Sequence, residues 1–281
     1  SRSVADIVQR GGTILRTARC KEFMEPEGFQ KALDHIRVHR IDGLVVIGGD
    51  GSLRGAQVLH EHGVPVVGVP GTIDNDLAYT DFTIGFDTAV NTAVQGINNI
   101  RDTATSHERT YVIEVMGRHS GHIALHAGTA GGAEFILLPE MPVPLEQVVE
   151  QVNRSERLGK AHSIIVVAEG FSGVPQQGLD HPQRESAGFQ VGRYIRDHTR
   201  HEVRVTVLGH LQRGGNPTAM DRIAATLMGA AAVEALLEGR SGVMVGLSGE
   251  DTILTPIPQV LATKKPLNRR LLQLASVLGS L

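Results

Sequence analysis

Six short runs of apolar, mostly β-branched residues recur along the chain, separated by segments with helical periodicity. A run that is apolar at nearly every position indicates a strand covered on both faces, as strands of parallel sheets are. The alternation of such strands with helices predicts an α/β fold: two lobes of parallel, doubly wound, Rossmann-like sheet flanked by helices. The predicted strands are GLVVIGG (43–49), VPVVGV (64–69), RTYVIEVM (109–116), HSIIVVAEG (162–170), VRVTVLGH (203–210) and GVMVGL (242–247).

A length of 281 residues suits two lobes better than one compact domain. Four longer segments between the apolar runs carry apolar residues at helical spacing. The predicted helices are 27–39, 87–104, 144–159 and 220–239. The stretch 170–186 is rich in Gly, Pro and Gln, which predicts an excursion of the chain over the surface.

Charge and cysteine content limit the possible functions. The chain has 27 Lys and Arg against 30 Asp and Glu, and a net charge of −3 argues against binding nucleic acid or an acidic membrane by charge alone. Cys20 is the single cysteine, which excludes an internal disulfide and fits a reducing compartment. No apolar run approaches the roughly 18 residues of a membrane span, and the N-terminus lacks the apolar centre of a signal peptide. We therefore expect a cytoplasmic protein.

The first predicted strand runs into a glycine-rich turn, Gly48-Gly49-Asp50-Gly51-Ser52, followed by a helical segment. Such a turn lets the backbone approach a ligand closely, and the N–H groups at the start of the helix suit a phosphate. A carboxylate inside the turn repels phosphate unless a divalent cation lies between them, so Asp50 is a candidate Mg²⁺ ligand. The alternative is a glycine turn in which Asp50 only caps the helix.

The second predicted strand is followed by PGTIDND (70–76), which contains two acids two positions apart. In an extended segment Asp74 and Asp76 project to the same side, and so does Thr72. In phosphoryl transfer one acid can accept the proton of the attacking hydroxyl while the other helps to hold the metal. The competing interpretation is an Asx-type turn in which Asp74 and Asn75 hydrogen-bond to their own backbone.

Polar side chains also follow the third, fourth and fifth predicted strands. Arg118 and Arg213 carry guanidinium groups suited to phosphate oxygens, His210 adds a donor, and Glu169 can accept from sugar hydroxyls. Singly, each could be a surface ion-pair partner. Because the carboxyl ends of parallel strands meet at one edge of a sheet, the set indicates a phosphorylated polyol held beside a metal-bound phosphate.

Arg109 and Arg204 stand apart from this set because each opens its strand. They are therefore expected at the opposite end of the sheet, where they cannot easily reach the same pocket from within one subunit.

The motifs GGDGS (48–52), PGTIDND (70–76), MGR (116–118) and GHLQRGG (209–215), with RGGTILRTARC (10–20), resemble the ATP-dependent 6-phosphofructokinase family in order and spacing over nearly the whole chain. GGDG alone is a weak signal, because NAD kinases and lipid kinases carry similar runs; the other motifs argue against an NAD kinase. The resemblance implies transfer of a phosphoryl group from ATP to the 1-hydroxyl of fructose 6-phosphate, giving fructose 1,6-bisphosphate and ADP. It also implies a glycolytic, Mg²⁺-dependent, allosteric homotetramer.

The resemblance assigns roles to the matching residues. Asp74 would accept the proton, Thr72 would lie beside the transferred group, and Arg118 with Arg19 would compensate negative charge. Asp50, assisted by Asp76, would hold Mg²⁺. The implied nucleotide contacts are Arg19, Cys20, Gly49, Asp50, Gly51 and Ser52; the implied sugar-phosphate contacts are Thr72, Ile73, Asp74, Met116, Gly117, Arg118, Glu169, His210, Leu211, Gln212 and Arg213, with Arg109 and Arg204 reaching a neighbouring subunit's pocket.

The resemblance also implies how the chain divides into two lobes and which compound donates the phosphoryl group. One lobe, 1–85 plus 212–262, would bind nucleotide and Mg²⁺; the other, 86–211 plus 263–281, would bind sugar phosphate. Pyrophosphate-using relatives tend to carry Asp in place of Gly51 and Lys in place of Gly71, so glycine at both positions favours ATP.

The family's N-terminal glycine-rich loop, of the GGDAPGMN type, does not precede Ser1, and we expect the chain to be a fragment of a longer protein. Two alternatives stay open: a pyrophosphate-dependent phosphofructokinase, and a non-catalytic homologue that binds sugar phosphate and regulates a partner.

A further group aligns with positions that bind the nucleotide effector in bacterial members of the family. Leu158 stands where a basic residue is usual, and the loss of one phosphate contact predicts a weak or altered effector response. The aligned residues are Arg101, Gly132, Ala133, Glu134, Lys160, Ala161 and His162.

Overall fold

The structure is a computed structural model that describes residues 4–18, 20–104, 109–160, 162–173, 185–279 and 281. Arg19, Ala161 and most of the predicted excursion 170–186 therefore lie outside the described residues. None of the helices in the described part of the chain is both long and apolar enough to cross a membrane.

The helices and strands alternate along most of the chain. In chain order they are α1 (Pro26–Val38), β1 (Leu44–Gly48), α2 (Asp50–Glu61), β2 (Val66–Pro70), α3 (Phe86–Ala104), β3 (Thr110–Val115), α4 (His122–Ala130), β4 (Phe135–Leu137), α5 (Leu145–Arg157), β5 (Ser163–Ala168), α6 (Ala187–His198), β6 (Val203–Val207), α7 (Ala219–Leu237), β7 (Val243–Ser248), β8 (Asp251–Pro256), α8 (Ile257–Ala262) and α9 (Arg269–Val277). Short 3₁₀ helices cover Glu22–Met24 and Gly209–Arg213.

The chain divides into two compact units. Unit 1 consists of Ser1–Thr72, Leu77–Ile84 and Asn216–Lys265, and unit 2 of Ile73–Asp76, Gly85–Gly215 and Pro266–Leu281.

Unit 1 is built on a sheet whose described strands follow the order β1-β2-β7-β8. The first three run parallel, with Val46 opposite Gly68 and Val67 opposite Val243. Helix α2 packs on β1 and β2, and the buried face includes Leu53 and Val66. Helix α7 covers β2 and β7 through a second apolar cluster. The sheet thus brings the carboxyl ends of β1 and β2 side by side.

Unit 2 is built on a sheet whose described strands are all parallel and follow the order β4-β5-β3-β6. Strands β3 and β5 are buried along their whole length, as the continuous apolar runs predict. Helices α5 and α6 share a core cluster with these strands on one side, and α3 and α4 also pack in this unit. The carboxyl ends of β3, β5 and β6 lie at one edge, immediately before Met116, Glu169 and Leu208.

The α/β class and the six predicted strands are confirmed. Two strands were not predicted. Strand β4 is only three residues long, and β8 pairs antiparallel with β7, so the sheet of unit 1 is not wholly parallel as expected. Strand β8 (DTILTP) is mostly exposed at the sheet edge, and its mixed polarity lacks the continuous apolar pattern of the central strands.

Candidate active site

The glycine turn after β1 leads directly into α2. A Cβ atom on Gly48 would lie 2.3 Å from Oγ of Ser52, so the turn requires glycine at that position. Gly49 precedes α2, and a Cβ atom on it would come within 3.4 Å of the Thr72 side chain. Within unit 1, therefore, the first turn of α2 and Thr72 lie next to each other, an arrangement that suits a phosphate group.

Asp50 opens α2 and is paired with a cation of the same helix. Its Oδ2 accepts from Nε of Arg54 at 2.8 Å, and its Oδ1 accepts from Nη2 at 3.1 Å. Both side chains are largely exposed, so this pair adds little stability and can exchange partners. Release of one or both of these contacts would leave the Asp50 carboxylate free to pair with another cation.

Gly51 and Gly71 differ in the space around them. A Cβ atom on Gly51 would meet no atom within 4 Å, whereas one on Gly71 would lie 2.9 Å from Cγ2 of Ile47. A side chain at position 51 would therefore extend into open space beside the first turn of α2.

The segment PGTIDND is extended only at its start, so the expectation that Thr72, Asp74 and Asp76 project to one side of an extended segment does not hold beyond Thr72. Strand β2 ends at Pro70, Ile73 and Asp74 form a turn, and Asn75 has φ of 50°, in the left-handed region. Asn tolerates this conformation better than most residues, which explains why it separates the two acids. The backbone at Ile73 and Asp74 is therefore a turn and not a strand.

Asp74 is buried with 8% of its surface exposed, and several charges of unit 2 act on it. Its pKa is raised above the ordinary value, mainly because burial removes the carboxylate from water and then because of the negative charge of Asp76. Arg213 and Arg118 oppose this shift with positive charge, and Glu169 adds to it. These residues come from separate strand ends, and the structure brings their charges to bear on one carboxylate.

The loop after β3 presents Arg118 from a constrained backbone. Gly117 has φ of 141°, and a Cβ atom on it would lie 2.4 Å from the carbonyl oxygen of Ser120. Arg118 itself has φ of 58°, an uncommon conformation for a residue with a side chain. Oε1 of Glu169 accepts from the N–H groups of Gly117 and Arg118 at 3.1 and 2.5 Å. Glu169, predicted to accept from sugar hydroxyls, thus also holds the loop that carries Arg118.

Two further contacts fix this loop. The hydroxyl of Ser120 donates to the main-chain carbonyl of Asp74 at 3.0 Å, and Oε1 of Glu140 accepts from the N–H of Gly121 at 2.9 Å. Sequence reasoning missed Ser120 and Glu140, because their roles depend on loop contacts that no residue spacing reveals.

The GHLQR segment forms the 3₁₀ helix Gly209–Arg213 after β6. His210, Leu211 and Arg213 are exposed, while Gln212 is buried and its Nε2 donates to the carbonyl oxygen of Gly209 at 3.3 Å. Gln212 therefore stabilises the short helix, and Arg213 is the member of this segment whose charge acts on Asp74.

Arg109 and Arg204 lie at the other end of the unit 2 strands, as predicted from their positions. Arg109 directly precedes β3, and Arg204 is the second residue of β6, opposite Tyr111. Both guanidinium groups contact one carboxylate, that of Glu202.

Some of the residues that align with the family's effector-binding positions contact one another within unit 2: Arg101 contacts Gly132, and Lys160 contacts Glu134. Nη2 of Arg101 donates to the carbonyl oxygens of Gly131 and Gly132 at 2.6 and 2.7 Å. Oε2 of Glu134 accepts from the N–H of Ile164 at 2.8 Å, and its Oε1 lies 3.8 Å from Nζ of Lys160. The other aligned residues that are described are Ala133, which joins Gly132 to Glu134, and His162, which lines a cavity with Lys160.

Comparisons with known proteins identify relatives over nearly the whole chain. A family model described as Phosphofructokinase matches residues 1–236. The chain is 57% identical over 280 residues to ATP-dependent 6-phosphofructokinase 1 of Thermus thermophilus, covering 99% of this chain and 83% of that protein. It is 52% identical over 277 residues to ATP-dependent 6-phosphofructokinase of Bacillus subtilis, covering 99% of this chain and 82% of the relative.

Solved structures of similar fold include phosphofructokinase from Saccharomyces cerevisiae. That structure matches with a TM-score of 0.82 and 34% identity, over 99% of this chain and 39% of the yeast chain. A pyrophosphate-dependent phosphofructokinase from Marinobacter aquaeolei matches with a TM-score of 0.74 and 24% identity, over 92% of this chain and 68% of that chain, a likeness of fold alone.

Proposed function

This chain belongs to the phosphofructokinase family, and we propose how its residues divide the work of an ATP-dependent 6-phosphofructokinase. The glycolytic reaction transfers a phosphoryl group from ATP to the 1-hydroxyl of fructose 6-phosphate. The assignment of roles to residues rests on the surroundings of Asp74. Its carboxylate is buried, and four charged side chains act on it together: Asp76, Glu169, Arg118 and Arg213.

Asp74 acts as the general base. Burial and the charge of Asp76 raise its pKa, which makes the carboxylate a better proton acceptor than an exposed aspartate. Arg213 and Arg118 oppose the rise in the pKa of Asp74 with positive charge, which favours the ionised form that can accept a proton. As the 1-hydroxyl attacks the transferred phosphoryl group, its proton passes to Asp74.

Arg118 and Arg213 compensate the negative charge of the phosphoryl group and of the sugar phosphate. Guanidinium groups suit this task because they stay charged and donate to several phosphate oxygens at once. The left-handed backbone at Arg118, held by Glu169 and Ser120, supports a fixed direction for its side chain. Met116, Gly117, Ile73 and the segment His210 to Gln212 complete the proposed sugar-phosphate contacts.

Unit 1 contributes the residues that we propose to bind the phosphoryl donor. Gly49 to Ser52 form the start of α2, where main-chain N–H groups favour a phosphate, and Thr72 adjoins Gly49. Cys20, an exposed free thiol, and Arg19 complete the proposed nucleotide contacts. Open space at Gly51 supports ATP as donor, because no side chain there competes with a nucleotide.

The adjacent negative charges of Asp74 and Asp76 support a divalent cation beside them, while the described residues contain no group of three or more His, Cys, Asp or Glu side chains that could hold one. Asp76 lies close enough to Asp74 to raise its pKa, and a cation beside them would relieve this repulsion. By the family resemblance, Asp76 and Asp50 are each proposed as Mg²⁺ ligands. Mg²⁺, when bound, neutralises negative charge on the phosphates.

We further propose that the active form is a cytoplasmic homotetramer in which Arg109 and Arg204 serve a neighbouring subunit's sugar-phosphate site. Support comes from their position at the start of β3 and β6, whereas Arg118 follows the end of β3. Arg101, Gly132 to Glu134 and Lys160 to His162 would respond to a nucleotide effector. Leu158, exposed at the end of α5, offers no charge to a phosphate, so the response to the effector would be weak or altered.

The assay of the full-length protein with fructose 6-phosphate and either ATP or pyrophosphate tests the proposal. We expect ADP and fructose 1,6-bisphosphate from ATP and no product from pyrophosphate. Turnover with pyrophosphate alone would contradict the donor assignment. Binding of fructose 6-phosphate without turnover from either donor would indicate a regulatory homologue instead.

A further inference from the structure

One carboxylate joins two arginines at the start of β3 and β6. Oε2 of Glu202 accepts from Nε of Arg109 at 2.6 Å, and its Oε1 contacts Nη2 of Arg204. Each carboxylate oxygen therefore faces a different guanidinium group, and the three side chains form a cluster with one net positive charge.

The backbone holds this cluster in place. The N–H of Thr110 donates to the carbonyl oxygen of Glu202 at 3.0 Å, and Thr110 lies opposite Val203 in the sheet. Glu202 is thus attached to the first residue of β3 and directly precedes β6. Its carboxylate therefore lies near both arginines.

The surroundings of Arg109 favour anions. Arg109 lines a cavity of about 220 Å³ whose wall also carries Lys160 and His201. Glu156, on the same wall, lies 3.5 Å from Nε2 of His201. An anion that approaches Arg109 therefore enters a region with several basic groups.

The Glu202 carboxylate pairs with both guanidinium groups that are proposed to bind the sugar phosphate, and it therefore competes with any other anion for them. The exposed fraction of the side chain is 45% for Glu202, 56% for Arg204 and 25% for Arg109, so water screens these ion pairs, and it screens the one with Arg204 most. A phosphate monoester carries more charge and three acceptor oxygens, and can replace one carboxylate on two arginines.

We propose that Glu202 is an internal counter-ion of Arg109 and Arg204, which the phosphate group of the sugar phosphate displaces when it binds. This inference rests on the proposed function, because it takes these arginines as sugar-phosphate contacts. Glu202 lowers the affinity for sugar phosphate, and it prevents the two guanidinium groups from repelling each other before the substrate arrives.

The test is Glu202→Gln in the full-length protein, with Glu202→Ala as a second variant. The KM of fructose 6-phosphate at saturating ATP and Mg²⁺, and its dissociation constant measured by calorimetry without nucleotide, are both expected to fall about three- to tenfold. The value of kcat is expected to stay within about twofold, because Glu202 does not touch the reacting groups. The matched control is Glu185→Gln, which removes a carboxylate 2.6 Å from Arg193 and should change neither constant.

An unchanged or higher KM and dissociation constant in both folded Glu202 variants, checked by circular dichroism, would overturn the inference. A higher KM of fructose 6-phosphate would show that Glu202 positions the two arginines and does not compete with the phosphate group for them. A wild-type protein that binds fructose 6-phosphate without turnover would contradict the proposed function, and the calorimetric comparison would still decide the role of Glu202. A wild-type protein that does not bind it would overturn both.

Discussion

The hydroxyl of Ser120 donates a hydrogen bond of 3.0 Å to the main-chain carbonyl oxygen of Asp74. This bond connects the peptide that carries the buried carboxylate to the loop that carries Arg118. Glu169 holds the same loop from the end of β5. The proposed base and the proposed phosphate-binding arginine are therefore fixed by one set of contacts inside unit 2.

Replacement of Asp74 by Asn tests its role as the base. Asn keeps the shape of the side chain but cannot accept the proton, so kcat is expected to fall by about 10² to 10⁴. The dissociation constant of fructose 6-phosphate should stay within about threefold, because the arginines are retained. Steady-state kinetics and calorimetry measure the two effects, with Asp34→Asn, an exposed acid 3.3 Å from Arg37, as the control. An unimpaired kcat would remove Asp74 as the base.

Asp74→Asn is also expected to be more stable than the wild type at neutral pH. The pKa of Asp74 is raised in the folded protein, so the folded state binds more protons than the unfolded state between the ordinary value of 3.8 and the raised value. Between these two pH values the free energy of unfolding of the wild type falls as pH rises. Above the raised pKa of Asp74 this residue causes no further loss of stability. Asp74→Asn lacks this loss, so its melting temperature should exceed that of wild type at pH 7 and approach it below pH 3.8. Equal melting temperatures at pH 7 would contradict the burial argument.

Ser120→Ala tests the connection between the Asp74 peptide and the Arg118 loop. Loss of this buried hydrogen bond should lower the free energy of unfolding by about 1 kcal/mol. It should also raise the KM of fructose 6-phosphate by about three- to tenfold, because Arg118 is held less firmly. Chemical denaturation and kinetics give the two values. A stability loss with no change in KM would assign Ser120 a purely structural role.

The strands were predictable, since their continuous apolar runs reflect burial on both faces, and residues following strand ends could be expected to gather at one sheet edge. Arg118, Glu169 and Arg213 do act on Asp74. The turn at Ile73 and Asp74 could not be predicted in preference to an extended segment, because the same short sequence is compatible with either.

The contacts that orient the candidate site residues were not predictable. Ser120, Glu140 and Glu202 meet their partners only after loops and strands have assembled, and polar residues of this kind are common on any surface. The pairing of Asp50 with Arg54 has a recognisable spacing of four residues, yet that spacing occurs in many exposed helices without functional meaning.

Gly51→Asp tests whether the open space beside the first turn of α2 receives the phosphates of ATP. A Cβ atom at this position meets nothing within 4 Å, so the variant should fold with an unchanged melting temperature. A carboxylate in that space would repel the triphosphate, and we expect the KM of ATP to rise about tenfold or more. Gly51→Asn is the matched control, since it has the same shape without the charge and should raise KM much less. Because the proposed fructose 6-phosphate contacts other than Thr72 belong to unit 2, the dissociation constant of the sugar phosphate should stay unchanged in both variants. Equal KM values for ATP in Gly51→Asp and wild type would place the donor phosphates elsewhere.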